Sequence, residues 1–287
     1  MFVAMRNAPG IAFAMGLFWS LSLALASEKT DADSHRASKT DAGNRNRRDI
    51  INITFDESPY TGPAIFVRPM ETVLPLGDPT ERLSHVPEGA CVTVERDFVS
   101  GGSTTDVPFG NGHSLVLSKD EPGERGLSVA FHVAPGDRVA AGQLTVEFDF
   151  MVDDRFEPTP KGNLFITTRD NTSKAVSSLM VKPAGEAGGE LLLYGRQVSD
   201  GSQTMATGEH SVVATLFPGR SYRITQLFDF AMGTVHVSID GEATEAVQPF
   251  AVSEAGITGF DISTVGVCVG RWAIDNITAS VADASAP

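Results

Sequence analysis

The chain has 287 residues, with 36 acidic against 22 basic side chains and a formal net charge of −14. A surface this acidic disfavours nucleic acid and anionic lipid as partners and is compatible with cations and with neutral or cationic ligands. The sequence contains no P-loop, dinucleotide-binding glycine motif, zinc-ligand spacing or nucleophile elbow. The enzyme classes built on those motifs are therefore excluded.

The N-terminal segment predicts export. Residues 1–26 combine Arg6, an apolar run over residues 11–25 and small residues at a cleavage site near Ala26, which is the pattern of a secretory signal peptide. An uncleaved membrane anchor is the alternative, although the run is short for a hydrocarbon core of about 30 Å. Cleavage would leave 287 − 26 = 261 residues with a net charge of −15 and no membrane span. The location expected from it is secreted, periplasmic or extracellular.

The rest of the chain predicts one large all-β domain. Residues 27–49 are polar and predict a disordered linker, residues 50–282 predict the domain, and residues 283–287 predict a short tail. Short apolar segments separated by Gly, Pro, Asp and Ser clusters, without an amphipathic helix of ten residues, are typical of a sandwich or barrel. A long loop is expected over residues 70–90. The predicted strands are 50–55, 64–68, 91–95, 114–118, 127–133, 143–151, 164–168, 179–182, 190–194, 211–215, 221–229, 234–239 and a last one around 271–277.

The most specific pattern is a hairpin followed by the last strand. The stretch SYRITQLFDFAMGTVHVSIDGE, from Ser221, alternates apolar and polar residues in two arms and ends in a tight-turn signal, Asp240-Gly241. The closing RWAIDNI, from Arg271, is a further strand. Together they resemble the concanavalin A-like (laminin G-like) jelly-roll superfamily of lectins and glucanases. That resemblance implies an antiparallel jelly-roll β-sandwich over residues 50–282.

The sharpest candidate for chemistry is Glu147-Phe148-Asp149. Its two carboxylates share one strand face about 7 Å apart, whereas retaining glycosidases hold two carboxyl groups about 5–5.5 Å apart. The motif resembles the Glu-x-Asp-x-x-Glu strand of laminarinase-type glucanases. The third position is Val152, which cannot donate a proton, so the resemblance leaves the acid/base unassigned. The other interpretation is an acidic pair on a solvated sheet.

A polysaccharide lyase is a second enzymatic possibility on the same fold. Lyases of this class use Tyr or His as the base and Arg, Asn or Gln to neutralise the substrate carboxylate. No match to the strand motifs of alginate lyases is present. The catalytic candidates are Glu147, Asp149, His132, His236 and Arg223, and the ligand-binding candidates are Glu147, Asp149, Arg169, Tyr194, Arg223 and His236.

The two cysteines, Cys91 and Cys268, lie in predicted strands. In an oxidising compartment such a pair favours a disulfide, particularly because the first and last strands of a jelly roll commonly lie near each other. Two separate buried thiols are the alternative.

A structural calcium ion joining the two ends of the domain is one hypothesis for the acidic residues there. Several jelly-roll carbohydrate-binding modules carry a Phe-Glu/Asp element at the start and an Ile-Asp-Asp/Asn element at the end, joined by calcium. The similar elements here contain Asp56 and Glu57, after Phe55, and Asp275, before Asn276. Carboxylate and loop carbonyl oxygens are the ligands that calcium prefers. The alternative is that Asp275 caps a turn or accepts backbone N–H hydrogen bonds, and that Asp56 and Glu57 are solvated.

The resemblance and the absent catalytic motifs together predict a secreted, non-catalytic carbohydrate-binding or adhesion module, whose partner is a glycan or another extracellular molecule. The alternatives are a glycan-degrading enzyme, hydrolase or lyase, with a divergent site, and a structural envelope or matrix protein.

Overall fold

The computed structural model describes part of the unit Arg45–Pro287. The predicted signal peptide, most of the linker, the predicted strand 64–68, Glu57 and the tail lie outside the described residues. The described residues are 47–56, 81–85, 90–99, 109, 112–124, 126–133, 136–153, 163–172, 174–184, 189–196, 210–250 and 256–282, with backbone only at 81–85, 196, 210 and 211.

These residues form 15 strands in two antiparallel sheets. The eight-stranded sheet has the order β13-β12-β11-β6-β15-β4-β3, with β1 also paired to β15, and the seven-stranded sheet has the order β10-β9-β8-β7-β14-β5-β2. The strands are β1 (Arg47–Ile53), β2 (Glu81–His85), β3 (Ala90–Arg96), β4 (His113–Lys119), β5 (Ser128–His132), β6 (Gln143–Val152), β7 (Leu164–Asp170), β8 (Ala175–Pro183), β9 (Leu191–Arg196), β10 (His210–Leu216), β11 (Ser221–Asp229), β12 (Thr234–Ile239), β13 (Glu242–Pro249), β14 (Ile257–Thr264) and β15 (Gly270–Ala282).

The core lies between the two sheets, as the alternating patterns predict. In β6 the inward side chains include Leu144 and Phe148, both fully buried, while the intervening residues face outward. Phe148 of the eight-stranded sheet stacks on Phe260 of the seven-stranded sheet, with ring centroids 5.8 Å apart. Burying each such side chain stabilises the fold by roughly 1.5–3 kcal/mol, so the sandwich follows from the period-2 patterning. The predicted all-β sandwich is confirmed.

The β11–β12 hairpin also forms as predicted. Its register pairs Ile224 with Ile239 and Asp229 with Thr234. The following turn has positive φ at both Asp240 (53°) and Gly241 (83°), the backbone that a two-residue type I′ turn requires.

Three strands were missed by the sequence patterns. β2 lies inside the predicted loop 70–90, and β13 is an edge strand whose residues are mostly exposed, so its apolar signal is weak. β14 lies between β7 and β5, but Gly259 and Asp261 interrupt its apolar run. β1 begins at Arg47, three residues before the predicted start.

The predicted disulfide between Cys91 and Cys268 is wrong, because both cysteines are free thiols. Cys91 lies in β3, and Cys268 lies just before β15. β4 is inserted between these two strands, and strands separated by one neighbour are about 9.6 Å apart, from twice the usual spacing. Disulfides need Cα atoms within about 7 Å.

We expect the two thiols to differ in reactivity. Cys91 is partly exposed, with its Sγ 2.8 Å from Ser118 Oγ, whereas Cys268 is fully buried, and burial raises the pKa of its thiol to about 12. Because the thiolate is the reactive form, a thiol reagent should label one cysteine in the native chain and both after unfolding without reductant. Peptide mapping should place the native label on Cys91. Zero thiols in the unfolded, unreduced protein would contradict the assignment.

Within the described part of the chain, no helix has the length and apolar character needed to cross a membrane.

Candidate functional site

A polar network lies on the outer face of the eight-stranded sheet, the face turned away from the other sheet. Its centre is Arg223 on β11, which lies opposite Asp149 on β6, while Thr225 lies opposite Glu147. Side chains alternate across a strand, so the alternation that turns Phe148 and Ile224 into the core also turns Glu147, Asp149, Arg223 and Thr225 outward. We call Glu147, Asp149, Arg223 and Asn276 the carboxylate–arginine network.

Arg223 binds both carboxylates of the network. Its Nε and Nη2 donate to the two oxygens of Asp149 at 2.7 and 2.8 Å, and its Nη1 donates to Glu147 Oε1 at 3.1 Å. Thr225 Oγ1 donates to the other Glu147 oxygen at 3.0 Å. Hydrogen bonding to Asp149 is the main reason that the pKa of Arg223 is raised. The Arg223 side chain is 44% exposed, so the network is accessible from solvent.

A β-bulge in β15 brings a third strand into the network. The pairing between β6 and β15 shifts between Asp275 and Thr278, and Asn276 takes a left-handed φ of 48°, which Asn tolerates better than most residues. Its Nδ2 donates to Asp149 Oδ2 at 2.7 Å. The bulge also places Asp275 directly opposite Asp149, where side chains of neighbouring strands lie about 4.5–5.5 Å apart at Cβ.

Asp275 is a buried carboxyl group with a strongly raised pKa. Only 1% of Asp275 is exposed, and this burial, followed by the nearby charges of Asp56 and Asp149, raises its pKa to about 7. The backbone N–H of Asn276 donates to its Oδ1 at 2.7 Å and opposes the shift, as does the Arg223 charge. Near neutral pH, Asp275 is therefore divided between its acid and its carboxylate forms.

Asp56 approaches this region from the end of β1. The preceding Phe55 is buried and has a left-handed φ of 58°, a strained conformation for an aromatic residue. Asp56 Oδ1 accepts a hydrogen bond from the backbone N–H of His113 at 2.7 Å. A Cβ at Gly112 would lie 2.1 Å from that oxygen, so only glycine admits the carboxylate there.

The predicted calcium ligands are only partly brought together by this geometry. Asp56 and Asp275 do lie in one region, but Asp56 is bound by His113, and Asp149 by Arg223 and Asn276. Among the described residues, no three His, Cys, Asp or Glu side chains are grouped to hold a metal ion. Because Glu57 lies outside the described residues, the calcium site remains a prediction.

An apolar cluster covers the neighbouring part of the same face. Arg271 lies over the Phe98 ring at 4.8 Å and binds Glu95 at 2.7 Å, which fixes the cluster to the sheet. This part of the face is therefore closed, whereas Arg223 on the same face is partly exposed. The cluster consists of Phe98, Phe109, Val116, Met151 and Ala273.

The structure divides the predicted site residues between two faces. Glu147, Asp149 and Arg223 are in contact, and His236 is exposed on the same face, on β12. His132, Arg169 and Tyr194 instead face outward from the seven-stranded sheet, because their strand neighbours point into the core. They therefore cannot join Glu147 in one site.

Sequence reasoning missed Asn276 as a member of the network, Thr225 as a hydrogen-bond partner of Glu147 and His113 as the partner of Asp56. The available signal was Asp275-Asn276 within an apolar strand, because two adjacent polar residues break the period-2 pattern and are typical of a bulge.

No protein-family model matches the chain, and no curated protein matches it in sequence. Solved structures do resemble it. The carbohydrate esterase of the Shiga toxin-encoding bacteriophage phi24B has a TM-score of 0.52 at 14% identity, covering 83% of this chain and all (100%) of that one. A sialidase has a TM-score of 0.48 at 17% identity, covering 70% of this chain and 17% of its own length. The potassium-bound carbohydrate recognition domain of Emp46p has a TM-score of 0.43 at 8% identity, covering 69% of this chain and 90% of its own.

At these identities the likeness shows the fold alone. The chain has the antiparallel, concanavalin A-like sandwich that the sequence predicted. The fold does not decide between binding and catalysis.

Proposed function

We propose that the chain is a secreted or periplasmic, non-catalytic carbohydrate-binding module, and that its glycan lies on the open part of the eight-stranded sheet around the carboxylate–arginine network. The observation that carries this proposal is the bidentate clamp of Arg223 on Asp149, extended to Glu147 and Asn276. It is a rigid set of donors and acceptors, partly open to solvent.

The chemistry of this network suits sugar hydroxyl groups. The carboxylate oxygens accept hydrogen bonds, while the guanidinium and the Asn276 amide donate them. The network is already hydrogen-bonded internally, so its side chains are held in place and lose little conformational freedom when a glycan binds.

The same contacts argue against catalysis by Glu147 and Asp149. All four of their oxygens accept hydrogen bonds within the sheet, because Arg223 donates to both Asp149 oxygens and to one Glu147 oxygen, and Thr225 donates to the other. A retaining glycosidase needs one carboxyl group free to attack the sugar and the other free to donate a proton. The pairing with Arg223 therefore fits ligand binding better than acid/base chemistry.

One observation favours the alternative of a glycan-degrading enzyme. Burial raises the pKa of Asp275 to about 7, and Asp275 lies across from Asp149; a carboxyl group that can hold a proton near neutral pH, beside a second carboxyl group, is the arrangement of an acid and a nucleophile. Asp275 would supply the acid that Val152 cannot. However, its 1% exposure leaves no route for a substrate, which is why binding is the preferred function.

The test is a glycan array with the full chain, followed by titration of the best oligosaccharide. We expect Arg223→Gln to weaken binding by about 10- to 100-fold, because charge-assisted hydrogen bonds each contribute about 1.5–3 kcal/mol. The matched control is Arg220→Gln, since Arg220 is an exposed arginine that pairs with Asp240 outside the network. It should bind within about twofold of the wild type.

Parallel assays for reducing ends and for unsaturated lyase products should detect no turnover. Turnover that Asp149→Asn or Asp275→Asn abolishes, while Arg220→Gln retains it, would establish the enzyme instead. If no glycan binds and no turnover occurs, the structural envelope or matrix protein becomes the favoured alternative.

A further inference from the structure

A run of basic residues lies at the start of the folded domain. Its sequence is Arg45-Asn46-Arg47-Arg48, followed by Asp49, and it contains the one position in the chain where two Lys or Arg residues are adjacent. Three cations within four residues contrast with the formal net charge of −14 that the whole chain carries. Neither the core nor the carboxylate–arginine network uses these side chains.

The run coincides with the boundary between two units of the chain. The units are Met1–Asn44 and Arg45–Pro287, and β1 begins within the run, at Arg47. The peptide bond between Arg48 and Asp49 therefore lies at the N-terminal end of the domain. Hydrolysis of this bond would release everything before Asp49 and leave the strands β2 to β15 uncut.

The side chains on both sides of this bond are open to solvent. Arg47, Arg48 and Asp49 are all exposed, and the Arg48 side chain is 63% exposed. Among the described residues, β1 pairs with β15 alone, so β1 is an edge strand. A protein that recognises an extended segment does so through the main-chain hydrogen bonds that such a strand offers. The bond is therefore presented in a conformation that a protease can bind.

Few contacts hold the first residues of β1 against the sheet. Arg48 pairs with Asp137, and Arg47 Nε donates to Ser280 Oγ. An exposed ion pair contributes little to stability, and the ends of strands open locally at small cost. The buried side chains of β1 begin only at Ile50. The end of the strand can therefore enter a protease while the core stays packed.

The spacing of the charges selects the class of protease. Arg48, Arg47 and Arg45 occupy the first, second and fourth positions before the bond. A cleft with carboxylates at those three positions forms a charge-assisted pair with each arginine, and the planar guanidinium suits bidentate pairing. Proteases specific for paired basic residues have acid-lined clefts of this kind. A protease that recognises one basic residue alone would gain nothing from Arg45 and Arg47.

We infer that the Arg48–Asp49 bond is a processing site, at which a protease specific for paired basic residues removes the segment before Asp49. The reaction consumes one water molecule, which leaves a carboxylate on Arg48 and a free α-amino group on Asp49. The product keeps every buried side chain of β1, since these begin at Ile50. It loses the three arginines of the run, so the N-terminal end of the domain no longer carries a cationic cluster.

The test is digestion of the folded full chain with a subtilisin-like protease specific for paired basic residues, followed by N-terminal sequencing and intact mass. We expect one product that begins at Asp49 and contains 287 − 48 = 239 residues. Its melting temperature should lie close to that of the uncut chain, because the buried side chains of β1 are retained. This experiment needs no substitution, so its result does not depend on a variant that folds.

Substitution then assigns the recognition. Arg48→Gln should abolish the cut, and Arg47→Gln should slow it by about 10- to 100-fold. The matched control, Arg96→Gln, alters an exposed arginine without a basic neighbour in sequence and should leave the rate unchanged. The inference is overturned if the bond stays uncut or is cut only in the urea-unfolded chain, if another bond is cut first, or if Arg48→Gln is cut at the wild-type rate.

Discussion

Replacing Asp275 with Asn is expected to raise the free energy of unfolding at pH 8. The substitution should also remove most of the decrease in that free energy between pH 4 and pH 7. Asp275 is buried opposite Asp149 and near Asp56, and its pKa is raised to about 7 from the ordinary aspartate value of 3.8. Between those two values the folded chain binds a proton that the unfolded chain releases, so the free energy of unfolding falls as pH rises through this window and levels above it. Asn mimics the protonated acid at every pH.

The expected gain at pH 8 is about 4 kcal/mol, since each pKa unit corresponds to about 1.4 kcal/mol. It would be measured by urea unfolding of the wild type and of Asp275→Asn at several pH values. The matched control is Asp229→Asn. Backbone N–H donors, chiefly that of Met232, lower the pKa of Asp229. The stability that Asp229 contributes is therefore lost as pH falls, whereas the stability linked to Asp275 is lost as pH rises.

The same variant decides the calcium prediction. A bound calcium ion would hold Asp275 as a carboxylate, and Asp275→Asn would then destabilise the chain rather than stabilise it. The melting temperature of the wild type would also fall in excess EDTA and recover with calcium but less with magnesium. Stabilisation by the substitution, together with a melting temperature that ignores EDTA, would rule the ion out.

Local alternation is sufficient to predict the core and part of the site. The pattern of Leu144, Val146, Phe148 and Phe150 assigns the inner face of β6, and the same alternation places Glu147 and Asp149 together on the outer face. The pairing of these carboxylates with Arg223 is not predictable from that pattern. It requires the register between β6 and β11, which long-range packing sets.

The incorrect and incomplete predictions also depend on strand order and register, which local alternation does not determine. The disulfide prediction assumed that β3 and β15 are adjacent, but strand order is a tertiary property, and β4 occupies the place between them. Asp275 was predicted only as a calcium ligand, because its position opposite Asp149 depends on a bulge and on pairing between distant strands. Arg169 and Arg223 look alike in sequence, yet the fold places them on opposite faces.

Phe148→Ala is expected to give the largest loss of stability. Phe148 is fully buried in the central strand of its sheet, and it stacks on Phe260, whose ring in turn stacks on Phe131 at 5.1 Å. The truncation removes contacts between the two sheets and leaves a cavity that the surrounding strands cannot fill, so the free energy of unfolding should fall by about 3–5 kcal/mol. Fluorescence of the buried Trp272 during urea unfolding reports this change.

The control is Met232→Ala, at a turn residue that is 73% exposed, which should change stability by less than about 0.5 kcal/mol. Phe148 lies between Glu147 and Asp149 but points to the opposite face, so Phe148→Ala should weaken glycan binding less than Arg223→Gln does, measured well below its melting temperature. A loss under about 1 kcal/mol would contradict the stacked arrangement of the three rings. A loss of binding as large as that of Arg223→Gln would show that the core sets the geometry of the network, because the two faces of β6 would then be coupled through one backbone.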